Sequence, residues 1–430
     1  MSTSSLKLDK YSSLFNYKKF IKQLASESNL LIIQDLDGVC MELVKEPSAR
    51  TIDKKYVEAV QIFKDHFYVL TNGEHIGKNG VNFIIEKAYQ NKIKLVKDKK
   101  LYLPGLAAGS AQWQESNGDV TYPGVSEKEL FFLASVPEYI QKNFIKFFSK
   151  NNFNLSEETI RKSIKKTVLY NKVSPTVNLN ILYDLLSQQT DNYIKLQKFT
   201  YQLMYKLLKK AQQEDLYNSF SIHCTANLGK DEQGQEIIQF AKDKSSGTTD
   251  FQFMLKDATK EAGVLLILNN YMYKKTGDYP LGKDFNFKQV PTTRQEILSL
   301  IRDHFNPSYI PTIIGVGDTV TNEIIESCGK FSCVRGGSDR NFLELIQLIG
   351  ERFNKRNIIA YVNSSTGEVR NHKALKISSH NSKNITINGM DKLQDDPLKL
   401  NIVFSKGYQQ YINCFKKASR IRKNFLKIYK

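Results

Sequence analysis

Leu30 to Val39 reads LLIIQDLDGV, and the change of character inside that stretch governs how the rest of the chain is read. The apolar run Leu30 to Ile33 is short and does not alternate, the pattern of a strand covered on both faces in a parallel sheet. It stops on two carboxylates, Asp35 and Asp37, one residue apart and followed by Gly38. Ligands of open parallel sheets gather at the carboxyl ends of the strands, so both acids arrive where chemistry takes place. Alone, the stretch fits a solvated Asp-Gly turn equally well.

Two further strand ends break the tie. The apolar run Phe67 to Leu70 ends in Thr71, Asn72 and Gly73, where a hydroxyl and neighbouring backbone NH groups offer donors to an oxyanion. Another, Ile310 to Val316, leads into GDTVTNE, which puts Asp318 just past a strand end and Asn322 and Glu323 one helical turn further on. Hard oxygen ligands without a His or Cys cluster select magnesium over zinc, and magnesium completes its octahedron with water and substrate phosphate.

Composition bounds the rest. The chain has 430 residues, 41% hydrophobic and 25% charged, enough for two or three cores in a globular protein. No stretch approaches the roughly 20 consecutive apolar residues needed to cross a bilayer, and the N-terminus lacks a signal-peptide core, which predicts a cytoplasmic protein with no membrane partner. The five cysteines are scattered and form no CxxC pair, so reduced thiols are expected. Lys and Arg exceed Asp and Glu by 62 to 44, a net charge of +18, but the excess is spread thinly and no nucleic-acid motif accompanies it. A basic surface that attracts an anionic small molecule fits better than nucleic-acid binding.

The ordered set DLDGV, LTNG and GVGDTVTNE resembles the haloacid dehalogenase superfamily of phosphotransferases. The resemblance implies an α/β fold, a Rossmann-like parallel-sheet core, and a covalent mechanism in which Asp35 attacks phosphorus and becomes an aspartyl-phosphate. It makes Asp37 the general acid and base and Thr71 a holder of a phosphoryl oxygen. Magnesium would be held by Asp35, the Asp37 backbone carbonyl and Asp318, with Asn322 in an outer-shell role. The superfamily also expects a basic residue at a helix start upstream of the acidic motif, to steady the phosphoryl group and keep the nucleophile ionised. PTTRQEILSLI reads as a helix capped by Thr292 or Thr293 with Arg294 in its first turn, so Arg294 ranks first, ahead of Lys288 and Lys283.

The chain between Gly73 and Arg294 is far too long for a loop and requires an inserted domain. GLAAGSAQWQESNGDVTYPG alternates like a hairpin turning at Asn117 and Gly118. A largely helical region from Ser135 to Gln213 follows. The strand-like SFSIHCTANLG and the run VLLILNNYMY then complete a mixed α/β cap of the C2 type. The expected division is a catalytic core at 1–134 and 288–350, a cap at 135–287, and a C-terminal extension at 351–430 that packs on the core.

QDLDGVCMELV, FYVLTNGEHIGKNGV, YLPGLAAGSAQWQ, SIHCTANLGKDEQG and DPLKLNIVFSKGYQQY are, more narrowly, similar to the cyanobacterial glucosylglycerol-3-phosphate phosphatases. That likeness implies hydrolysis of glucosylglycerol 3-phosphate as the last step in making an osmolyte for salt tolerance, and admits a glucosylglycerol-phosphate synthase as partner. Substrate contacts are expected from Asn72, Gly73, Glu74, His75 and Lys78 after the Thr motif, and from His223 and Asn227 in the cap. For His223 a satisfied core role competes, and Trp113 packs more readily than it stacks on sugar. Carboxylate spacing cannot separate this ester from sucrose or trehalose phosphate, nor alone exclude a non-catalytic polyanion binder. The basic amphipathic ending YQQYINCFKKASRIRKNFLKIYK reads as a helix that docks on the core.

Overall fold

The LLIIQ run forms a strand, Leu30–Gln34, in which all five residues are buried. The computed structural model describes residues 14–225, 227–327, 330–369, 376–380, 384–388 and 396–428, with side chains at 321–335, 376–388 and 427–428 outside the described set. Leu30–Gln34 lies inside an eight-stranded sheet. On one side it pairs parallel with Thr312–Gly317, followed by Ile358–Val362 and Ile402–Phe404. On the other come Phe67–Leu70 and Gly105–Ala107, also parallel, before Gln112–Gln114 and Val120–Thr121 finish the edge antiparallel. The chain leaves the first strand toward Phe67 and returns on the opposite side at Thr312. That reversal opens a crevice at the carboxyl end of Leu30–Gln34.

A second sheet has four antiparallel strands in the order Val168–Leu169, Thr176–Asn178, Asp250–Leu255, Phe220–Thr225. Alternation divides its faces. Phe251 and Phe253 are fully buried, and Phe253 and Phe220 meet at ring centroids 5.0 Å apart beside Phe132 of the helix Glu127–Lys150. Asp250 and Gln252 share the opposite face with their cross-strand partners Asn178, Thr225 and Thr176. Helices Glu157–Thr167 and Thr190–Gln213 pack on the same small sheet.

The run VLLILNNYMY, expected within the cap, belongs to a helix, Lys260–Thr276, that packs on the strands Phe67–Leu70 and Gly105–Ala107 of the large sheet. Eleven of its residues are buried, because it is apolar around most of its circumference. Gly263 permits the approach: a Cβ there would fall 2.3 Å from Leu70 Cδ1. Thr259 caps the helix by accepting from the Ala262 amide at 3.1 Å, which fixes Lys260 in the first turn.

After Asp318 the chain forms a β-hairpin, Thr321–Ser327 with Lys330–Gly336, where a helical turn was expected. The next helix, Arg340–Arg352, starts only beyond it. The region expected as a C-terminal extension supplies two strands of the large sheet itself. Its final helix, Tyr408–Ile428, packs on Tyr17–Ser26 and Lys54–Val60. Tyr411 and Tyr56 both donate to Gln34 Oε1, at 2.7 and 2.8 Å, and Gln34 Nε2 donates to the Asp35 carbonyl at 3.0 Å. The tail thus helps fix the backbone of the first acid. Among the described residues no helix is long and apolar enough to cross a membrane.

Candidate functional site

Asp35 leaves the sheet with its amide still bonded to the Val316 carbonyl at 2.9 Å. Its Oδ1 accepts from the Leu36 amide at 2.7 Å, and its Oδ2 lies 2.9 Å from Lys260 Nζ. Lys260 also pairs at 2.6 Å with Asp339 Oδ1, and both Lys260 and Asp339 are almost fully buried. The second oxygen of Asp339 accepts from the amides of Asp318 and Thr319 at 2.8 and 3.1 Å. Asp339 therefore ties the Asp318 loop to the lysine. Gly38, at φ +77°, completes the approach, since a Cβ there would stand 2.1 Å from Asp318 Oδ2.

Asp35, Asp318 and Asp339 offer carboxylate oxygens within 4.8 Å of one another. One lysine stands among three buried acids, and the ionisation equilibria record the imbalance. Burial pushes the Asp35 carboxyl up to about 7, against the pull of Lys260. Burial, then the charges of Asp339 and Asp35, raise Asp318 well above the ordinary carboxylate range. Asp339 is buried too, yet Lys260 and the two backbone amides hold it below that range. Burial works against the Lys260 charge, but Asp339 and Asp35 outweigh it and raise its pKa. Among the described residues Asp318 Oδ2 is buried without a hydrogen-bond partner. An orphaned acceptor beside uncompensated negative charge, with oxygen as the only donor type, fits a hard divalent cation.

Thr71 is 3% exposed, and its hydroxyl accepts from the Gly73 amide at 3.2 Å. Asp37 is half-buried, with Arg50 Nη1 at 2.9 and 3.1 Å from its two oxygens. The guanidinium is itself held by the carbonyls of Pro47 at 3.1 Å and Asn79 at 2.9 Å. Asp35, Asp37, Thr71, Asn72, Gly73, Lys260 and Asp318 line one cleft, and the polar face of the small sheet forms its far wall.

Several expected residues lie elsewhere. Arg294 does open its helix directly after the Thr293 cap, but its Nη1 pairs with Glu344 at 2.5 Å and its Nη2 donates to Asn341 at 2.8 Å, outside the cleft. Lys288 reaches Glu129 at 2.8 Å, and Lys283 is exposed. Lys260 occupies the position beside Asp35 for which Arg294 and Lys288 were candidates. The sequence carried the same signal there, a Thr cap followed by a basic first-turn residue, but the adjoining apolar run had been assigned to the cap. Asn322 falls within the hairpin, and its side chain lies outside the described residues; beyond the hairpin, Asp339 is the acid that joins Asp35 and Asp318 in the cluster.

His75 is completely buried, its Nε2 3.2 Å from the Gly105 carbonyl, and burial lowers its pKa to about 4. It is a neutral core side chain away from the cleft. Lys78 is exposed outside the cleft. His223 pairs with Glu236 at 2.8 Å, and Asn227 donates to the Cys224 carbonyl at 2.9 Å, so both tie the strand Phe220–Thr225 to the two-stranded hairpin Asn227–Lys230 with Glu236–Ile238. Trp113 packs on Tyr68 and donates to Glu115 at 2.7 Å. Glu74 does line the cleft, but its carboxylate accepts the amides of Lys172, Val173 and Ser174 at 3.0, 2.6 and 3.0 Å, which fastens the turn between Val168–Leu169 and Thr176–Asn178 of the small sheet.

Residues 29–419 match the family model described as glucosylglycerol-phosphate phosphatase. The chain is 47% identical over 406 residues to the glucosylglycerol-phosphate phosphatase of Synechocystis sp., covering 94% of this chain and 96% of that one. Among solved structures it resembles the C-terminal domain of Candida albicans trehalose-6-phosphate phosphatase, with a TM-score of 0.43, 10% identity, and coverage of 95% and 98%. The C-terminal domain of the C. albicans trehalose synthase regulatory protein gives a TM-score of 0.38 at 9% identity, with coverage of 83% and 92%.

Proposed function

The chain belongs to the glucosylglycerol-phosphate phosphatase family, and from that footing we propose that it hydrolyses glucosylglycerol 3-phosphate to glucosylglycerol and phosphate in osmolyte synthesis. The observation that carries the proposal is the convergence of Asp35, Thr71, Lys260 and Asp318 on one cleft. Asp35 attacks phosphorus and carries the phosphoryl group as an acyl phosphate. Asp37 gives its proton to the departing alkoxide, then takes one from the water that hydrolyses the intermediate. Arg50 holds the Asp37 carboxylate in place between these transfers. The Lys260 ammonium and the Thr71 hydroxyl receive phosphoryl oxygens as charge develops on them.

Magnesium fits the acid cluster, with Asp35, Asp318 and the Asp37 carbonyl as its protein ligands; bound there it supplies Lewis-acid stabilisation of the phosphoryl oxygens. Asp339 has both oxygens engaged and serves to position Lys260 and the Asp318 loop. A synthase supplying the phosphate ester, in the cytoplasm, is the partner this reading implies. Phosphate release from glucosylglycerol 3-phosphate, measured beside sucrose 6-phosphate and trehalose 6-phosphate with and without magnesium, tests it. A preference for either of the other esters, or turnover unaffected by chelation, contradicts it.

The raised pKa of Asp318 yields a prediction on stability. A carboxyl whose folded pKa exceeds its unfolded value costs stability as pH rises from the ordinary carboxylate range through the folded value. Asp318→Asn should therefore raise the melting temperature of the metal-free protein at pH 8, worth about 1–3 kcal/mol, and lose that advantage below about pH 4. Magnesium should stabilise the native chain at pH 8 and the variant far less, while the variant's kcat falls on the order of 10³-fold. Equal responses to magnesium, followed by calorimetry, would remove Asp318 from the metal site.

A further inference from the structure

The cleft wall opposite the acids is a designed polar surface by the logic of strand alternation. Along Asp250–Leu255 the phenylalanines turn inward, while Asp250 and Gln252 turn to the cleft with Asn178, Thr225 and Thr176 beside them. Asp250 is fixed on both oxygens, by Asn178 Nδ2 and the Thr249 hydroxyl, each at 2.9 Å. A carboxylate has about four acceptor positions, so two remain. Among the described residues Gln252 Oε1 is buried with no hydrogen-bond partner. His223 shares the register of Gln252 but is committed to Glu236.

We infer that this face, through Asp250 and Gln252, is the specificity-determining ledge for the alcohol half of the ester and accepts hydrogen bonds from the hydroxyls of a neutral, polyhydroxylated leaving group. Acceptors in excess of donors suit hydroxyls, which can always donate. The charge layout also sets orientation: the phosphoryl end is drawn to Lys260, and a carboxylate at the far wall repels it. Asp37 and Arg50 line the same cleft, and their charges reach Asp250. The inference deepens the sugar-phosphate reading above and rests on it.

Asp250→Asn keeps the shape and an acceptor for Asn178 but weakens the ledge, and Gln252→Met removes the orphaned oxygen. Each variant should melt within a few degrees of the native chain. For glucosylglycerol 3-phosphate, KM should rise about 10- to 100-fold with kcat within about 3-fold, while p-nitrophenyl phosphate, which lacks hydroxyls, keeps its kcat/KM within about 3-fold. Loss of both substrates in parallel, or no change on either, overturns the inference. Calorimetry with phosphate-free glucosylglycerol provides a readout independent of turnover. The native chain should bind it and Asp250→Asn at least about 10-fold more weakly; no binding by the native chain also overturns the ledge. If the native chain binds the polyol yet releases no phosphate from its ester, the proposed reaction fails while the ledge stands.

Discussion

Replacing Asp35 by Asn is expected to lower kcat for phosphate release by on the order of 10⁴-fold or more while the protein stays folded. Among the described residues the other acids are placed or committed elsewhere: Asp37 is engaged by Arg50, Asp339 by Lys260 and two amides, Glu74 by three amides, Asp250 by Asn178 and Thr249, and Asp318 stands on the neighbouring strand end. Folding should not suffer above about pH 7. The native Asp35 carboxyl sits at about 7, above its ordinary value, so its ionised form is disfavoured in the folded chain and an amide relieves that cost. The check is steady-state phosphate release together with thermal unfolding at pH 8. Activity within about 10-fold of the native chain would remove Asp35 from the nucleophile's role.

Lys260→Met has the second large effect, and it falls on activity and stability together. The ammonium lies 2.9 Å from Asp35 and 2.6 Å from Asp339, and removing it leaves three buried acids with no counter-charge. Breaking a buried pair by deleting one partner costs about 3–5 kcal/mol. The pH dependence follows from Asp339, whose folded pKa is depressed. Its contribution is present above the ordinary carboxylate range and disappears as pH falls through the folded value, so the stability gap between native and variant should be widest near neutrality and shrink on acidification. Activity should drop on the order of 10³-fold. Arg294→Ala is the matched control. Its side chain is one-third exposed and Glu344 keeps Arg340 at 2.7 Å, so the variant should lose no more than about 1 kcal/mol and keep its activity. Equal losses in the two variants would contradict the placement of the phosphate-steadying charge.

What could be read in advance followed what short-range physics encodes. The strand ending in Asp35, the Thr71 and Asp318 strand ends, the hairpin at Asn117 and Gly118, the Thr293-capped helix and the basic tail helix all rest on local periodicity and turn chemistry, and each has its counterpart in the fold. Lys260 was missed because VLLILNNYMY is apolar on nearly all sides. Such a run does not disclose which sheet it covers, and the deciding feature is the close contact of Gly263 with Leu70. Asp339 was missed because a hairpin separates it from Asp318, so a motif contiguous in space is split in sequence. Arg50 and the Asp250 face are products of tertiary pairing. His223 and Asn227 drew attention as polar residues in a strand loop, yet both spend their hydrogen bonds joining the small sheet to the adjoining hairpin.

The covalent role of Asp35 is tested most directly by quenching the native protein during turnover of glucosylglycerol 3-phosphate, reducing any acyl phosphate with borohydride, and mapping the product by peptide mass spectrometry. The account predicts a carboxyl converted to an alcohol at position 35 alone, dependent on substrate and lost in Asp35→Asn. Reduction at Asp37 or Asp318, or none while phosphate is being released, would contradict it.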